Sequence, residues 1–198
     1  VERLRRLVQQ AEALKMRGQL RVLLQSLAAF LLRQEKAAEA ALAAGRVAEL
    51  ARESGDPTLQ GTACSLRAEA LRRAGQLESA LASADQAEGL QRERHAPTLA
   101  LTLLRRAEIF AALGRSEPAL ADARAARAVA DRHDEQDLSL SASLWEALHL
   151  ARRGELGEAA LEAALGRAAS AGGAPRALRR SLIQQAQDLL ATRRARPG

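Results

Sequence analysis

The sequence predicts an all-α fold, an α-solenoid built from antiparallel helix hairpins. Alanine, leucine, arginine, glutamate and glutamine dominate the 198 residues, and all five are strong helix formers. No stretch alternates apolar and polar residues in the manner of a strand. A glycine-centred turn motif recurs at intervals of 40, 39 and 40 residues, which is typical of stacked helical repeats.

The repeat is visible as columns of equivalent residues. The turn motif occupies residues 75–81, 114–120 and 154–160, with a weaker copy at 35–41. Seven residues before each turn stands an alanine, and four residues before it a large apolar side chain: Ala28, Ala68, Ala107 and Ala147, then Leu31, Leu71, Phe110 and Leu150. Small residues continue after each turn: Ala40, Ala44 and Val47; Ala80, Ala84 and Ala87; Ala119, Ala123 and Ala126; Ala159, Ala163 and Gly166. Because small side chains let two helices approach closely, these columns predict packing of each hairpin on the next.

Glycine and proline mark the predicted helix ends. Gly75, Gly114 and Gly154 are expected to end the first helix of a hairpin in a left-handed cap. Prolines mark the opposite junctions, in the pairs Asp56-Pro57, Ala96-Pro97 and Ala174-Pro175. Proline is favoured at the first position of a helix, and Asp56 is available there as an N-cap. Residues 134–137 fill the remaining junction without proline.

These signals predict ten helices in a single repeat domain over residues 1–198. An N-terminal cap occupies residues 1–19, with its helix near 2–17, and a C-terminal cap occupies 174–193, followed by a tail at 194–198. Four repeats lie between the caps, at 20–55, 56–95, 96–134 and 135–173, with turns near 34, 75, 114 and 154. Each cap helix carries one apolar stripe. Such a stripe can dock on the stack or pair with a second copy, so no oligomeric state is predicted.

The small residue before the turn, the turn glycine, the alanine five residues after it and the small seam resemble the tetratricopeptide repeat (TPR) family. The resemblance covers about residues 20–170. It implies a right-handed superhelix in which the first helix of each hairpin lines a concave groove for a protein partner. The period near 40 rather than 34 residues, with alanine or leucine at the usual aromatic positions, resembles the long-repeat type of bacterial transcription regulators and signalling adaptors.

The sequence favours no catalytic, metal or cofactor site. Cys64 is the only cysteine, so the chain can form no internal disulfide, and this usage fits a cytoplasmic protein. Cys64 falls on the inward face of its helix and is expected to be a small buried apolar residue. The three histidines occupy unrelated repeat positions and lack metal-ligand spacing. No glycine-rich phosphate loop is present, and the longest apolar run of six residues is too short to span a membrane.

The predicted groove supplies the candidate partner-binding residues. Its exposed positions are expected to be charged in one half and apolar in the other: Glu69, Arg72, Arg73, Arg105 and Glu108, then Leu144, Trp145, Leu148 and Arg152. TPR proteins that capture a C-terminal carboxylate use lysine and asparagine, and this chain has no asparagine. Glu69 with Arg73 can equally be an ordinary solvated helix pair. Trp145 can be a binding anchor or a large side chain that fills space between alanine-rich helices.

The charge is concentrated at the two ends of the chain. The net charge is +6, made up of +4 in residues 1–21, +5 in residues 174–198 and −3 between them. Basic ends can contact nucleic acid, an acidic partner or an anionic surface. Single-strand binding needs aromatic platforms, and the chain has only two phenylalanines and one tryptophan. Solvated cap helices are therefore the favoured interpretation of these ends.

Together these observations predict a non-catalytic scaffold whose groove binds a peptide or helix of a protein partner. A second hypothesis is the sensor or oligomerisation arm of a larger bacterial transcription regulator, for which a chain starting at Val1 would be a fragment. Contact of the basic end helices with nucleic acid is a third hypothesis, and it predicts steep salt dependence.

Overall fold

The computed structural model describes residues 1–94, 97–171 and 176–195. In this part of the chain the regular secondary structure is entirely α-helical, which confirms the predicted fold class. Ten helices follow one another in the described residues: α1 (Glu2–Ala13), α2 (Arg17–Arg33), α3 (Ala37–Glu53), α4 (Pro57–Arg73), α5 (Leu77–Arg92), α6 (Leu99–Ala112), α7 (Ser116–Arg132), α8 (Gln136–Arg152), α9 (Glu158–Ser170) and α10 (Ala177–Arg194).

Seven of the connections between helices share one turn geometry. Each contains a residue with positive φ, and the next residue donates its N–H to the carbonyl five positions back, as in Gln76 to Leu71 at 2.9 Å. This bond satisfies a carbonyl that the helix end leaves unpaired. The positive-φ residues are Lys15, Glu35, Gly55, Gly75, Gly114, Asp134 and Gly154. The left-handed caps predicted at Gly75, Gly114 and Gly154 are therefore confirmed.

Positive φ is not confined to the turns within hairpins. Gly55 and Asp134 also adopt positive φ, at 66° and 54°, so the junctions between hairpins turn in the same way as the hairpins themselves. Pro57 does begin α4, and the Asp56 carboxylate accepts a hydrogen bond from Leu59 N–H at 3.0 Å, as expected of an N-cap. Ala96 and the pair Ala174-Pro175 lie outside the described residues.

The N-terminal cap helix is shorter than predicted. Its helix ends at Ala13 instead of near residue 17, because Lys15 adopts φ 55° and the chain turns there into α2. Val8 and Ala11 of its apolar stripe are buried, whereas Leu14 is 69% exposed. In the C-terminal cap helix α10, the stripe of Leu182, Ala186 and Leu190 is buried.

The chain divides into two compact units, residues 1–119 and 120–198. In the first unit consecutive helices from α1 to α6 pack on one another, and α2 also contacts α4, as α4 contacts α6. The even-numbered helices of this unit, α2, α4 and α6, therefore form one layer. The surface that this layer exposes is called the even-helix face. In the second unit α8 packs on α9, and α10 packs on both.

The small seam is buried in three of its four predicted copies. Ala40, Ala80 and Ala119 are fully buried, together with the other seam residues of their helices. The fourth copy is an exception, since Ala159, Ala163 and Gly166 are exposed. The expectation that these three pack as a seam is wrong.

The physical reason is a longer turn before α9. Helix α5 begins two residues after its turn glycine, at Leu77, whereas α9 begins four residues after Gly154. Gly157 is the extended N-cap, with ψ 164°. Two extra residues rotate a helix by about 200° at 3.6 residues per turn. Leu161, Ala164 and Ala168 consequently occupy the buried face of α9.

Candidate functional site

Five charged side chains meet on the even-helix face of the first unit. Glu69, Arg72 and Arg73 belong to α4, and Arg105 and Glu108 belong to α6. Spacings of three and four residues place each set on one side of its helix. Since α4 and α6 touch, the two sets form a single group, called the ionic cluster.

Glu69 is the centre of the ionic cluster. Its carboxylate accepts two hydrogen bonds from Arg72, from Nε at 3.0 Å and from Nη2 at 3.1 Å. It also accepts a short hydrogen bond from Arg73 Nε at 2.5 Å. Only 8% of the Glu69 side chain is exposed, so the expectation of a solvated Glu69–Arg73 pair is wrong. The carboxylate is instead buried and held by two guanidinium groups.

Three further contacts join α4 to α6. Arg72 Nη2 lies 3.2 Å from Glu108 Oε2, so this guanidinium bridges carboxylates on both helices. Arg105 Nη1 donates to Ser65 Oγ at 2.8 Å. Thr102 Oγ1, which is buried, lies at the same distance from Ser65 Oγ. Thr102 has no signal in the sequence for this role, because a threonine in an apolar helical stripe does not indicate its distant partner.

The two glutamates of the ionic cluster have opposite pKa shifts. Burial tends to raise the pKa of Glu69, but the hydrogen bond and charge of Arg72, with the charges of Arg73 and Arg105, outweigh it and leave this pKa lowered. Burial raises the pKa of Glu108, and the nearby Glu69 charge adds to that rise against the opposing effect of Arg72. Burial also lowers the pKa of Arg105. Three guanidinium groups against two carboxylates leave the ionic cluster net positive.

The second unit buries the predicted apolar residues of the groove. Leu144 and Leu148 are 0% and 1% exposed, and Trp145 is 7% exposed. The expectation that these three side chains present an apolar surface is therefore wrong, because the face of α8 that carries them points into the interior. The Trp145 ring stacks on that of His149, with centroids 5.0 Å apart and planes 6° from parallel. Of the two alternatives for Trp145, the packing role is the one that the structure supports.

Arg152, the fourth predicted residue of this half, is exposed at the end of α8. Its Nη2 donates to Gln185 Oε1 of α10 at 2.8 Å. Arg152 therefore connects two helices of the second unit and still presents its charge to solvent.

Many arginines at the two ends of the chain pair with acidic side chains of the same unit. In the first unit Arg5 pairs with Glu39, and Arg21 Nη1 lies 3.7 Å from Asp56 Oδ2. In the second unit Nε of the buried Arg179 lies 3.2 Å from Asp137 Oδ1, and Arg194 pairs with Glu162. These contacts give the end arginines a role in attaching α1, α2 and α10 to their neighbours.

Cys64 is buried, and this burial raises the pKa of its thiol, which keeps the group in the unreactive protonated form. Among residues 1–94, 97–171 and 176–195, no group of three or more histidine, cysteine or acidic side chains could hold a metal ion. None of the helices in these ranges combines the length and the apolar character needed to cross a bilayer.

Solved structures of other proteins share this fold. BtubC (BKLC) from P. vanneervenii superposes with a TM-score of 0.67 at 17% sequence identity, covering 100% of this chain and 92% of that one. A Podospora anserina protein named as a kinesin light chain, with nearly identical TPR-like repeats, superposes with a TM-score of 0.63 at 14% identity, covering 91% of this chain and 99% of that one. No protein-family model matches the chain, and neither does the sequence of any curated protein. The comparisons therefore show a TPR-like helical repeat fold.

Proposed function

We propose that this protein is a non-catalytic scaffold that binds a peptide or helix of a protein partner on its even-helix face, with the ionic cluster as the contact region. The TPR-like fold supports this proposal, because helical repeats of this kind present extended surfaces suited to protein partners. We also propose that the repeats are of the long-repeat type and that the protein is cytoplasmic.

The observation that carries the proposal is the concentration of five charged side chains on α4 and α6. Buried ion pairs contribute little net stability, because desolvation offsets most of the attraction. A network with three arginines on one face is therefore better explained as a surface that recognises a partner than as a source of stability. Its positive charge favours an acidic group on the partner.

Arg73 is the residue of the ionic cluster best placed to reach a partner. Its side chain is 49% exposed, whereas those of Arg72 and Glu108 are 26% and 19% exposed. The buried Leu144, Trp145 and Leu148 are left out of the proposed contact surface, and Arg152 remains an exposed candidate in the second unit.

The proposal is tested by affinity capture with a matched pair of variants. Arg46 is the control, since it is 48% exposed and pairs with Glu49 on α3, outside the even-helix layer. Tagged wild type, Arg73→Glu and Arg46→Glu are incubated with nuclease-treated host lysate, and bound proteins are identified by mass spectrometry. We expect one protein to be retained in stoichiometric amount by wild type and by Arg46→Glu and to be lost with Arg73→Glu.

Two results would overturn the proposal. Equal capture of the same protein by all three chains would place the contact elsewhere than the ionic cluster. Recovery of nucleic acid without nuclease, and of no protein after nuclease, would favour the basic ends instead, and that binding would weaken steeply with salt. Circular dichroism of the three chains checks that each retains its helical content.

A further inference from the structure

The second unit contains a pocket of about 320 Å³ that lies apart from the ionic cluster. One side comes from α8, where Ser143, Glu146, Ala147 and Leu150 follow the spacing of a single helical face. The other side comes from Leu156, Ala160, Ala164 and Arg167, spaced in the same way along the start of α9 and its preceding turn. Arg127 of α7 completes the lining.

The pocket is associated with the longer turn before α9. Leu156 lies in the stretch that delays the start of α9, and the rotation of this helix brings Ala160 and Ala164 to the pocket. Alanine side chains at these two positions leave space above α8 that larger residues would fill. The result is an open concavity with a mainly aliphatic surface.

Two positive charges border this aliphatic surface. Arg127 and Arg167 are exposed, and neither side chain forms an ion pair or hydrogen bond with another described residue. Glu146, the acidic residue of the lining, is engaged by Arg124, whose Nε lies 2.7 Å from Glu146 Oε1. The pocket thus offers guanidinium donors for an anionic group beside a surface suited to hydrocarbon.

We propose that this pocket binds a small anionic amphiphile, a short hydrocarbon body that carries a carboxylate or phosphate head. The head pairs with Arg127 and Arg167, and the body covers Ala147, Leu150, Ala160 and Ala164. The volume lies at the lower end of the range for small-molecule pockets, which fits a body of several carbons. This binding is independent of the partner contact proposed above, because it uses different helices and different charges.

The test uses octanoate and octyl phosphate as probes. Octanol and inorganic phosphate are the controls, because octanol has the hydrocarbon body without the anionic head and inorganic phosphate has the anionic head without the body. Each is titrated into the ¹⁵N-labelled full chain, and amide shifts are followed by NMR. We expect at least one of the two amphiphiles to produce saturable shifts concentrated in residues 143–167. Octanol and inorganic phosphate should each bind at least about tenfold more weakly, because octanol loses the charge-assisted contact and inorganic phosphate loses the burial of the hydrocarbon.

Three variants distinguish the pocket from general binding to helices. Arg127→Gln with Arg167→Gln removes the proposed head contacts and should weaken binding about tenfold or more. Ala160→Trp fills the pocket without changing its charge and should have a similar effect. Arg180→Gln removes an exposed arginine of α10 outside the pocket and should leave binding unchanged. Saturation by octanol at the same concentration, shifts outside this segment, or equal binding by all variants would overturn the proposal.

Discussion

Arg72 joins the two helices of the ionic cluster, since its Nη2 atom lies 3.2 Å from Glu108 Oε2 on α6. The same guanidinium makes two hydrogen bonds to Glu69 on its own helix. One cation therefore neutralises carboxylates on two helices that are separated in sequence by α5. The arrangement makes the response of the chain to mutation and to pH depend on which carboxylate is changed.

Replacing Glu69 by glutamine should destabilise the folded chain by roughly 1.5–3 kcal/mol, the range for a hydrogen bond to a charged group in a buried setting. The variant loses the negative charge that holds Arg72 and Arg73. Urea unfolding followed by circular dichroism measures the change. Glu49→Gln, which alters an exposed pair with Arg46, should change stability by less than about 0.5 kcal/mol. Equal effects of the two substitutions would contradict the assigned burial of Glu69.

The two glutamates should give pH dependences of opposite sign. The lowered pKa of Glu69 means that its contribution to stability is complete above the unfolded pKa and is lost as pH falls through the folded value. The raised pKa of Glu108 means that its contribution is present below the unfolded pKa and is lost as pH rises through the folded value.

Unfolding free energies measured from acid to neutral pH for wild type, Glu69→Gln and Glu108→Gln would reveal these signs. The difference between wild type and Glu69→Gln should grow with rising pH in favour of wild type. Relative to Glu108→Gln, wild type should lose stability with rising pH. Parallel curves for the two variants would show that the glutamates do not differ in environment.

Two of the positive-φ turns are sites where glycine should stabilise the chain. Glu35 and Asp134 adopt φ of 59° and 54°, a conformation that costs a residue with a side chain about 1–2 kcal/mol. Because glycine loses more entropy on folding, Glu35→Gly and Asp134→Gly should each raise the unfolding free energy by a smaller amount, roughly 0.5–1 kcal/mol. Thermal and urea unfolding measure the gain.

The reverse substitution is the control for this prediction. A Cβ atom at Gly75 would meet no heavy atom within 4 Å, so Gly75→Ala changes only the backbone preference. It should lower stability by about 1 kcal/mol. A Gly75→Ala chain as stable as wild type would mean that this turn does not hold its left-handed conformation in solution.

The shifted register of α9 predicts a contrast between two equivalent alanines. Ala84 and Ala163 both lie nine residues after a turn glycine, yet Ala84 is fully buried and Ala163 is exposed. Ala84→Leu should destabilise the chain by about 1–3 kcal/mol through overpacking, as should Ala107→Leu. Ala163→Leu should stay within about 0.5 kcal/mol of wild type. A large loss of stability for Ala163→Leu would show that Ala163 is buried and would contradict the shifted register of α9.

Deletion of the two-residue extension provides a second test of this register. Removing Leu156 and Gly157 would let α9 begin two residues after Gly154, as α5 begins after Gly75. We expect this change to turn Ala159 and Ala163 inward and to abolish the pocket of the second unit. Hydrogen exchange of the α9 amides measures the outcome, together with titration of the deletion chain with the amphiphile that wild type binds. Unchanged binding of that amphiphile would show that the pocket does not depend on the longer turn.

The ionic cluster was only partly accessible to sequence reasoning. The spacing of Glu69, Arg72 and Arg73 predicts that they share a helical face, because that relation depends on 3.6 residues per turn. Nothing in the sequence states that Arg72 reaches Glu108 or that Ser65 meets Thr102 and Arg105, because those contacts depend on how α6 lies against α4. The inward position of Leu144 and Leu148 depends on tertiary packing for the same reason, since their spacing defines one face of α8 without indicating which way it points.

The sequence predicts the all-α class, the turns at Gly75, Gly114 and Gly154, and the buried seam that begins at Ala40, Ala80 and Ala119. These properties follow from local preferences, because helix propensity, glycine at positive φ and small side chains act over a few residues. Tertiary packing alone decided that Glu69 is buried, that Trp145 faces inward and that α9 is rotated. Burial is a property of the neighbours that cover a side chain, and two added residues in one turn are enough to change which face of a helix those neighbours meet.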